Sequence, residues 1–213
     1  MPKPAPGASK EGKDAMAASR RPISKDEPNR RAEILRAASR LFAEKGYAAT
    51  TIRDIAKAVD MQSGSPFYHF KSKHDMLLAV VLEGIETISR AVSEAAAGGG
   101  TPRQVFEAML LAHLEQLLAD DGRHFAATLL HESKHLDAEA HAALVERKDR
   151  YEGLWQKALA NLKRAGDIGD DSRVARLFLL GGLNWTVQWY RSDGVCSVPV
   201  IARQISSLLL KKT

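Results

Sequence analysis

Apolar residues in this chain recur every three or four positions, segment after segment, and no stretch of useful length alternates in twos. That spacing stacks side chains on one face of a helix, so the chain is predicted to be all-α. Ser24-Lys25-Asp26-Glu27-Pro28 gathers helix-start residues, and Ile34, Leu35, Ala38, Leu41 and Phe42 form the buried face of the helix that follows. Gly46 then supplies a left-handed terminator. Thr50-Thr51 with Asp54 has capping-box spacing and opens a short helix whose inner face is Ile52, Ile55, Ala56 and Val59. Beyond the break at Asp60-Met61, a further short helix is predicted from Gln62 to about His69. Met76, Leu77, Val80, Val81, Gly84, Ile85 and Ile88 mark a long amphipathic helix ending at Gly98-Gly99-Gly100. Thr101-Pro102 opens the next, which Asp120-Asp121-Gly122 interrupts, and segments 124–133, 138–165, 174–189 and 198–210 complete the set. The 174–189 helix is apolar nearly all round and is expected to be covered on several sides.

Composition narrows what such a bundle can be. Residues 1–25 are rich in Pro, Gly, Ala, Ser and Lys with almost no bulky apolar side chain, and read as a disordered basic tail. The net charge of +5 is unevenly spread: residues 1–75 carry 15 Lys/Arg against 9 Asp/Glu, residues 76–213 carry 16 against 17. A basic first third attracts a polyanion, either nucleic acid or an anionic membrane surface. No apolar run approaches the ~20 residues that span a bilayer, and no signal peptide is recognisable, so a cytoplasmic protein without a membrane partner is expected. The single Cys196 has no partner for an intramolecular disulfide and reads as a packing residue.

Two short helices joined by a brief turn between Ile52 and Phe70, with the small Ala56 where they must approach, have the layout of a helix-turn-helix. The second helix offers Gln62, Ser63, Ser65, Tyr68 and His69 to base edges or phosphates, and Lys71 and Lys73 follow where ammonium groups suit phosphate. Thr50-Thr51-Ile52-Arg53-Asp54-Ile55-Ala56-Lys57-Ala58-Val59, then Gly64-Ser65-Pro66-Phe67-Tyr68-His69-Phe70-Lys71-Ser72-Lys73, resembles the DNA-binding domain of the TetR family of transcriptional regulators. The resemblance covers about residues 28–80, with Leu41 to Tyr47 supplying the supporting helix. It implies a TetR-like fold: a three-helix DNA-binding domain over 26–74 and a helical effector-binding and dimerisation domain over 75–213. It also implies a homodimer whose two reading elements visit successive major grooves of double-stranded operator DNA. Operator contacts are then expected from Thr50, Thr51, Arg53, Gln62, Ser63, Ser65, Tyr68, His69, Lys71 and Lys73. Three positions depart from the family pattern. Asp60 replaces a turn glycine but tolerates left-handed backbone; Phe67 stands where a phosphate-binding tyrosine is frequent; Pro66 replaces an aliphatic residue. With Ser63 as the N-cap, Pro66 is the third helical residue and is tolerated; a cap at Asp60 would make it disruptive.

A different chemistry is spelled by His131-Glu132-Ser133-Lys134-His135, an H-E-x-x-H pattern followed by His141 at the place of a third zinc ligand. A zinc-dependent hydrolase would use both histidines as ligands and Glu132 as general base. However, such a site needs glycine at Ala138 to turn the chain back, and Ala138-Glu139-Ala140 favours a continuing helix. We therefore expect no catalytic residue, no metal and no cofactor.

In TetR-type regulators the C-terminal half holds a small-molecule pocket and the pairing helices. Phe178, Gly181, Gly182, Trp185 and Trp189, with Ile205 and Leu208 of the last helix, are assigned to the dimer seam, the glycines allowing close approach. Asn184-Trp185 and Trp189-Tyr190-Arg191 resemble regulators of lipid, steroid or aromatic-acid breakdown that answer acyl-CoA thioesters. Met109, His113, Phe125, Leu129 and Trp155 are the expected effector lining, with Arg123, Arg147 or Arg150 for its phosphates. The resulting expectation is a repressor that a hydrophobic or acyl-CoA-type effector releases from its operator. The rivals are the zinc hydrolase and a sequence-indifferent DNA-binding protein.

Overall fold

The computed structural model describes residues 27–169 and 171–211, and the tail assigned to residues 1–25, with the helix-start residues 24–26, lies outside them. The described residues form helices and turns without a strand: α1 Glu27–Lys45, α2 Ile52–Ala58, α3 Lys73–Ala97, α4 Pro102–Leu118, α5 Asp120–Glu132, α6 Ala138–Ala165, α7 Arg173–Trp189 and α8 Val198–Leu209. Single 3-10 turns stand at Ser65–Tyr68 and Ser133–His135. Caps set many of these bounds. Thr101 accepts the Gln104 N–H while Gln104 returns a bond to the Thr101 N–H, Ser72 and Asp137 cap α3 and α6, and Gly166 at φ 83° ends α6. No described helix is long and apolar enough to cross a membrane.

Two apolar cores result. Ile34, Leu35, Phe42, Ile55, Phe70, Met76, Leu77, Val80 and Val81 close the smaller one around α1, α2 and the start of α3. Phe106, Met109, Leu110, Leu114, Trp155, Leu159, Leu162, Leu183 and Ile201 build the larger one among α4, α6, α7 and α8. α3 serves both, with Met76 to Ile85 in the first and Val92 in the second.

Helix α7 departs from the expectation of cover on several sides. Leu179, Leu180, Leu183 and Thr186 are buried, but Val174, Phe178, Trp185 and Trp189 lie exposed on its other face. A single chain supplies only one wall for a helix that is apolar all round.

The larger core also encloses His113, fully buried, whose Nδ1 shares a 2.5 Å hydrogen bond with the Tyr151 hydroxyl while Nε2 finds no hydrogen-bond partner among the described residues. Burial pushes this imidazole from its usual 6.5 down to about 4 and raises the Tyr151 phenol. His113 is therefore neutral in the fold and takes up a proton more readily when unfolded. Its contribution is fully present above pH 6.5 and is lost as the pH falls from 6.5 towards 4, by about 3 kcal/mol in all. Urea midpoints measured across that window should fall with pH in the native sequence and lose this part of the slope in His113→Gln.

Candidate nucleic-acid interface and effector cavity

The predicted capping box forms: Thr51 Oγ1 accepts the Asp54 N–H at 3.1 Å, and the Asp54 carboxylate accepts the Thr51 N–H at 2.9 Å and hydroxyl at 2.7 Å. Those two donors hold the Asp54 carboxyl below its usual range. Val59 is the C-cap of α2, and Asp60 takes the left-handed conformation, φ 56°, as its place in the turn demands.

The reading element itself differs from the expected α-helix over Gln62–His69. Only Ser65–Tyr68 is helical, wound as a 3-10 turn, and Gly64 rather than Ser63 stands at its cap. Bonds three residues apart run from Ser65 N–H to Gln62 O at 2.9 Å, Phe67 N–H to Gly64 O at 3.2 Å and His69 N–H to Pro66 O at 3.0 Å. Pro66 is the cause: it brings no N–H, and its ring would crowd the Gln62 carbonyl if the chain closed α-turns here. Pro66 and Phe70 point inward and anchor the turn, and the Arg31 guanidinium stands 5.1 Å over the Phe70 ring.

Gln62, Ser63 and Tyr68 are exposed, Tyr68 to 91%, whereas Ser65 and His69 are partly buried. Exposed Arg53 and Lys71 flank them. Phe67, which the sequence reading left out because it lacks a hydroxyl, is 53% exposed beside Tyr68. Its neighbour Pro66 takes the inward position, and that alternation was the available signal.

Two assigned contacts are turned inward instead. Thr50 is completely buried, its hydroxyl donating to Leu41 O at 3.1 Å and Gly46 O at 2.9 Å, so its side chain has no outlet to a phosphate. The Lys73 ammonium donates to Tyr47 O and Thr50 O, each at 2.9 Å, and sits 4.3 Å from the centre of the Tyr47 ring. Lys73 ties the first residue of α3 to the loop before α2. Thr51 remains exposed, with its hydroxyl engaged in the cap.

A cavity of about 880 Å³ lies between α1, α3, α5, α6 and the middle of α7. Phe125 and Leu129 line it as expected, together with Leu35, Ile88, Leu144 and Val187. Met109, His113 and Trp155 belong instead to the closed core, since all three are fully buried and pack around Phe106 and Tyr151. Helical periodicity marks an inward face without saying whether a wall or a void meets it. The expected cations are also spent or displaced: Arg147 pairs with Glu86 at 3.2 Å, Arg150 with Glu146 at 3.2 Å, and Arg123 faces a more open groove against α1. Arg31, Arg36 and Lys148 line the cavity in their place.

The histidine motif has a different geometry from a zinc site. α5 stops at Glu132 and the chain tightens into the 3-10 turn, so His131 and His135 no longer stand one α-turn apart. Glu132, 13% exposed, accepts the Tyr47 N–H at 3.1 Å and lies 3.5 Å from His135 Nε2. His131 faces the α1 groove, and His141 lines the cavity. Among the described residues, no three His, Cys, Asp or Glu side chains are grouped to hold a metal ion.

Most of the residues assigned to pairing are exposed. Phe178 is 78% and Trp185 62% exposed, Leu208 of α8 is 85% exposed, and Gly181 and Gly182 between them have nothing within 4 Å of an added Cβ. Ile205 is the exception, half-buried against the larger core.

Comparison with known proteins agrees with this arrangement. Residues 34–80 match the model for bacterial regulatory proteins of the tetR family, and residues 99–213 match a tetracyclin repressor-like C-terminal domain. The HTH-type transcriptional repressor KstR2 of Rhodococcus jostii (strain RHA1) is 34% identical over 185 residues, 85% of this chain and 89% of that protein. Among solved structures, superantigen PfiT superposes with a TM-score of 0.73 at 34% identity, covering 89% of this chain and all of that one (100%). AibR in complex with isovaleryl coenzyme A and operator DNA superposes with a TM-score of 0.74 at 26% identity, covering 84% of this chain and 97% of that one.

Proposed function

Because the chain belongs to the TetR family of bacterial regulatory proteins, we propose that it is a cytoplasmic homodimeric repressor, not an enzyme, released from its operator when an acyl-CoA-type effector enters the cavity. The reading unit is residues 26–74 and the sensing and pairing unit is 75–213. The observation that carries the reading is the turn Gln62–Tyr68, whose proline anchors it inward while Gln62, Ser63 and Tyr68 stand free on the outer side. Gln62 has the donor-acceptor pair that suits adenine, Tyr68 and Phe67 offer ring edges to thymine methyls and sugars, and Arg53 and Lys71 supply phosphate contacts. The cavity supports the effector assignment through its apolar walls, with Arg31 and Lys148 among its lining as cations for phosphates, beside Glu83 and the Arg36–Asp121 pair at 3.9 Å. KstR2 is named a repressor, and AibR was captured with an acyl-CoA and operator DNA.

The test begins by selecting an operator from random duplex DNA. Tyr68→Ala should weaken binding to the selected duplex by roughly 10–100-fold while leaving random DNA nearly unaffected. Lys71→Ala should weaken both and lower the salt slope by about 1. Lys73→Ala should behave differently, costing about 1–3 kcal/mol of unfolding stability because the Tyr47 and Thr50 carbonyls lose their donor. Equal affinity for selected and random duplexes at fixed salt would establish the sequence-indifferent rival instead. A thermal-shift series of acyl-CoA thioesters, isovaleryl coenzyme A among them, tests the effector class.

A further inference from the structure

The H-E-x-x-H segment holds no zinc geometry, yet it carries a polar contact between the cavity helix and the reading head, beside the buried bond from the Thr128 hydroxyl to Ser39 O at 3.0 Å. Glu132 is the last residue of α5, and its carboxylate crosses to the backbone of Tyr47, 85 positions earlier, accepting that N–H at 3.1 Å. The same oxygen lies 3.5 Å from His135 Nε2, and the His135 ring lies against the Tyr47 ring, 5.1 Å between centres and tilted by 31°. From the head's side, the Lys73 ammonium holds Tyr47 O and Thr50 O and covers the Tyr47 ring. The loop that leads into α2 is thus suspended between α5 and the first residue of α3.

On the cavity side, Phe125, Leu129 and Leu130 of α5 are wall residues, and so is Ser133, the immediate neighbour of Glu132. The wall and the clasp are consecutive residues at a helix end. Such an end passes readily between α and 3-10 winding, and here it has passed into a 3-10 turn already.

We propose that Glu132 and His135 form the clasp through which occupancy of the cavity is passed to the reading head. This rests on the effector-released reading given above. The closed clasp fixes the height of α2 and the reading turn against α5. An occupant that presses on Leu129 and Ser133 is better accommodated with the last turn of α5 rewound, which withdraws the carboxylate from Tyr47. Such an occupant binds the open-clasp state more tightly than the closed one, and that difference in affinity is what moves the head. Glu132 and His135 are positioning residues and touch neither DNA nor effector.

The decisive measurement is the distance between the two heads of the full-length dimer, read by paired spin labels on Ala49→Cys in a Cys196→Ser background. Without any ligand, Glu132→Ala should broaden or shift that distribution and weaken the selected operator about tenfold, within the usual 5–150-fold range of coupling. Glu132→Gln keeps an oxygen for the Tyr47 N–H and should restore the native distribution. Native spacing and operator affinity in Glu132→Ala would overturn the clasp. So would a Glu132→Gln variant as disturbed as Glu132→Ala, because the side-chain oxygen would then not be the operative group. In a second arm with isovaleryl coenzyme A, a thermal shift of the native protein without a change in head spacing also overturns it. Absence of any binding in that arm counts against the effector reading alone, and the ligand-free comparison still decides the clasp.

Discussion

Replacing Phe178 and Leu208 together by glutamate should leave a folded chain that sediments as a single subunit and binds the selected operator more than about a hundredfold less tightly. The two side chains stand on α7 and α8, 78% and 85% exposed. Trp185 and Trp189 extend the exposed face of α7, and each ring of this size covered on pairing contributes about 1.5–3 kcal/mol. Two carboxylates per subunit placed in such a seam would lose their hydration without gaining partners, which costs several kcal/mol. Since this side of α7 carries none of the larger core, the chain keeps its fold; the core-facing Leu179, Leu180 and Leu183 are untouched. Loss of pairing removes the second head, which otherwise binds at an effective concentration near millimolar and multiplies affinity by 10²–10⁴. Sedimentation of the variant as a dimer with native operator affinity would mean that pairing uses another face.

Gly122→Ala should lower stability by at least about 3 kcal/mol, seen as a fall of roughly 6–12 °C in the thermal midpoint. Ala119 is at once the C-cap of α4 and the N-cap of α5, so the two helices meet with no linker, and Gly122 lies in the first turn after the corner. A Cβ there would stand 1.8 Å from Gln116 O and 3.1 Å from Leu117 O, both backbone atoms that no rotamer change can move. Relief requires the corner to open, which pulls buried Leu117 and Leu118 from the larger core and distorts the α5 wall of the cavity. Gly153→Ala provides the contrast. It sits inside α6 with nothing within 4 Å of an added Cβ, and helix propensity alone should make that variant about 0.5–1 kcal/mol more stable. A Gly122→Ala midpoint within a degree of the native one would mean that the corner is looser than the Gln116 contact requires.

The elements that sequence pattern exposed are those determined locally. Thr51 with Asp54, Thr101-Pro102 at the start of α4 and Asp60 in its left-handed turn each depend on residues within three positions, and each is where the pattern put it. Pro66 was visible as a difficulty, but the outcome, a 3-10 turn with Gly64 rather than Ser63 at its cap, is decided where the proline is buried against the rest of the head. Thr50 and Lys73 were beyond local reasoning, because the carbonyls they bind, Leu41 O in α1 and those of the loop after it, meet them only through the path that the packing of Phe42 and Tyr47 sets. The cavity was half-legible for a related reason: Phe125 and Leu129 share an inward periodicity with Met109, His113 and Trp155, and only the tertiary arrangement separates a void from a filled core. Glu132 carried the strongest chemical signature in the chain, and its partner is a backbone amide that no motif records.

α3, which serves both cores, spans about 37 Å from end to end at 1.5 Å per residue over its 25 residues. Lys73 fastens the near end of this rod to the loop before α2, so whatever tilts the rod carries α2 and the reading turn with it as one body. A swing of only 5° about the far end displaces the near end by about 3 Å, a distance comparable to the rise of one base pair. Side-chain shifts too small to alter either interior are therefore magnified, by leverage alone, into a misfit between two grips and the fixed pitch of a double helix.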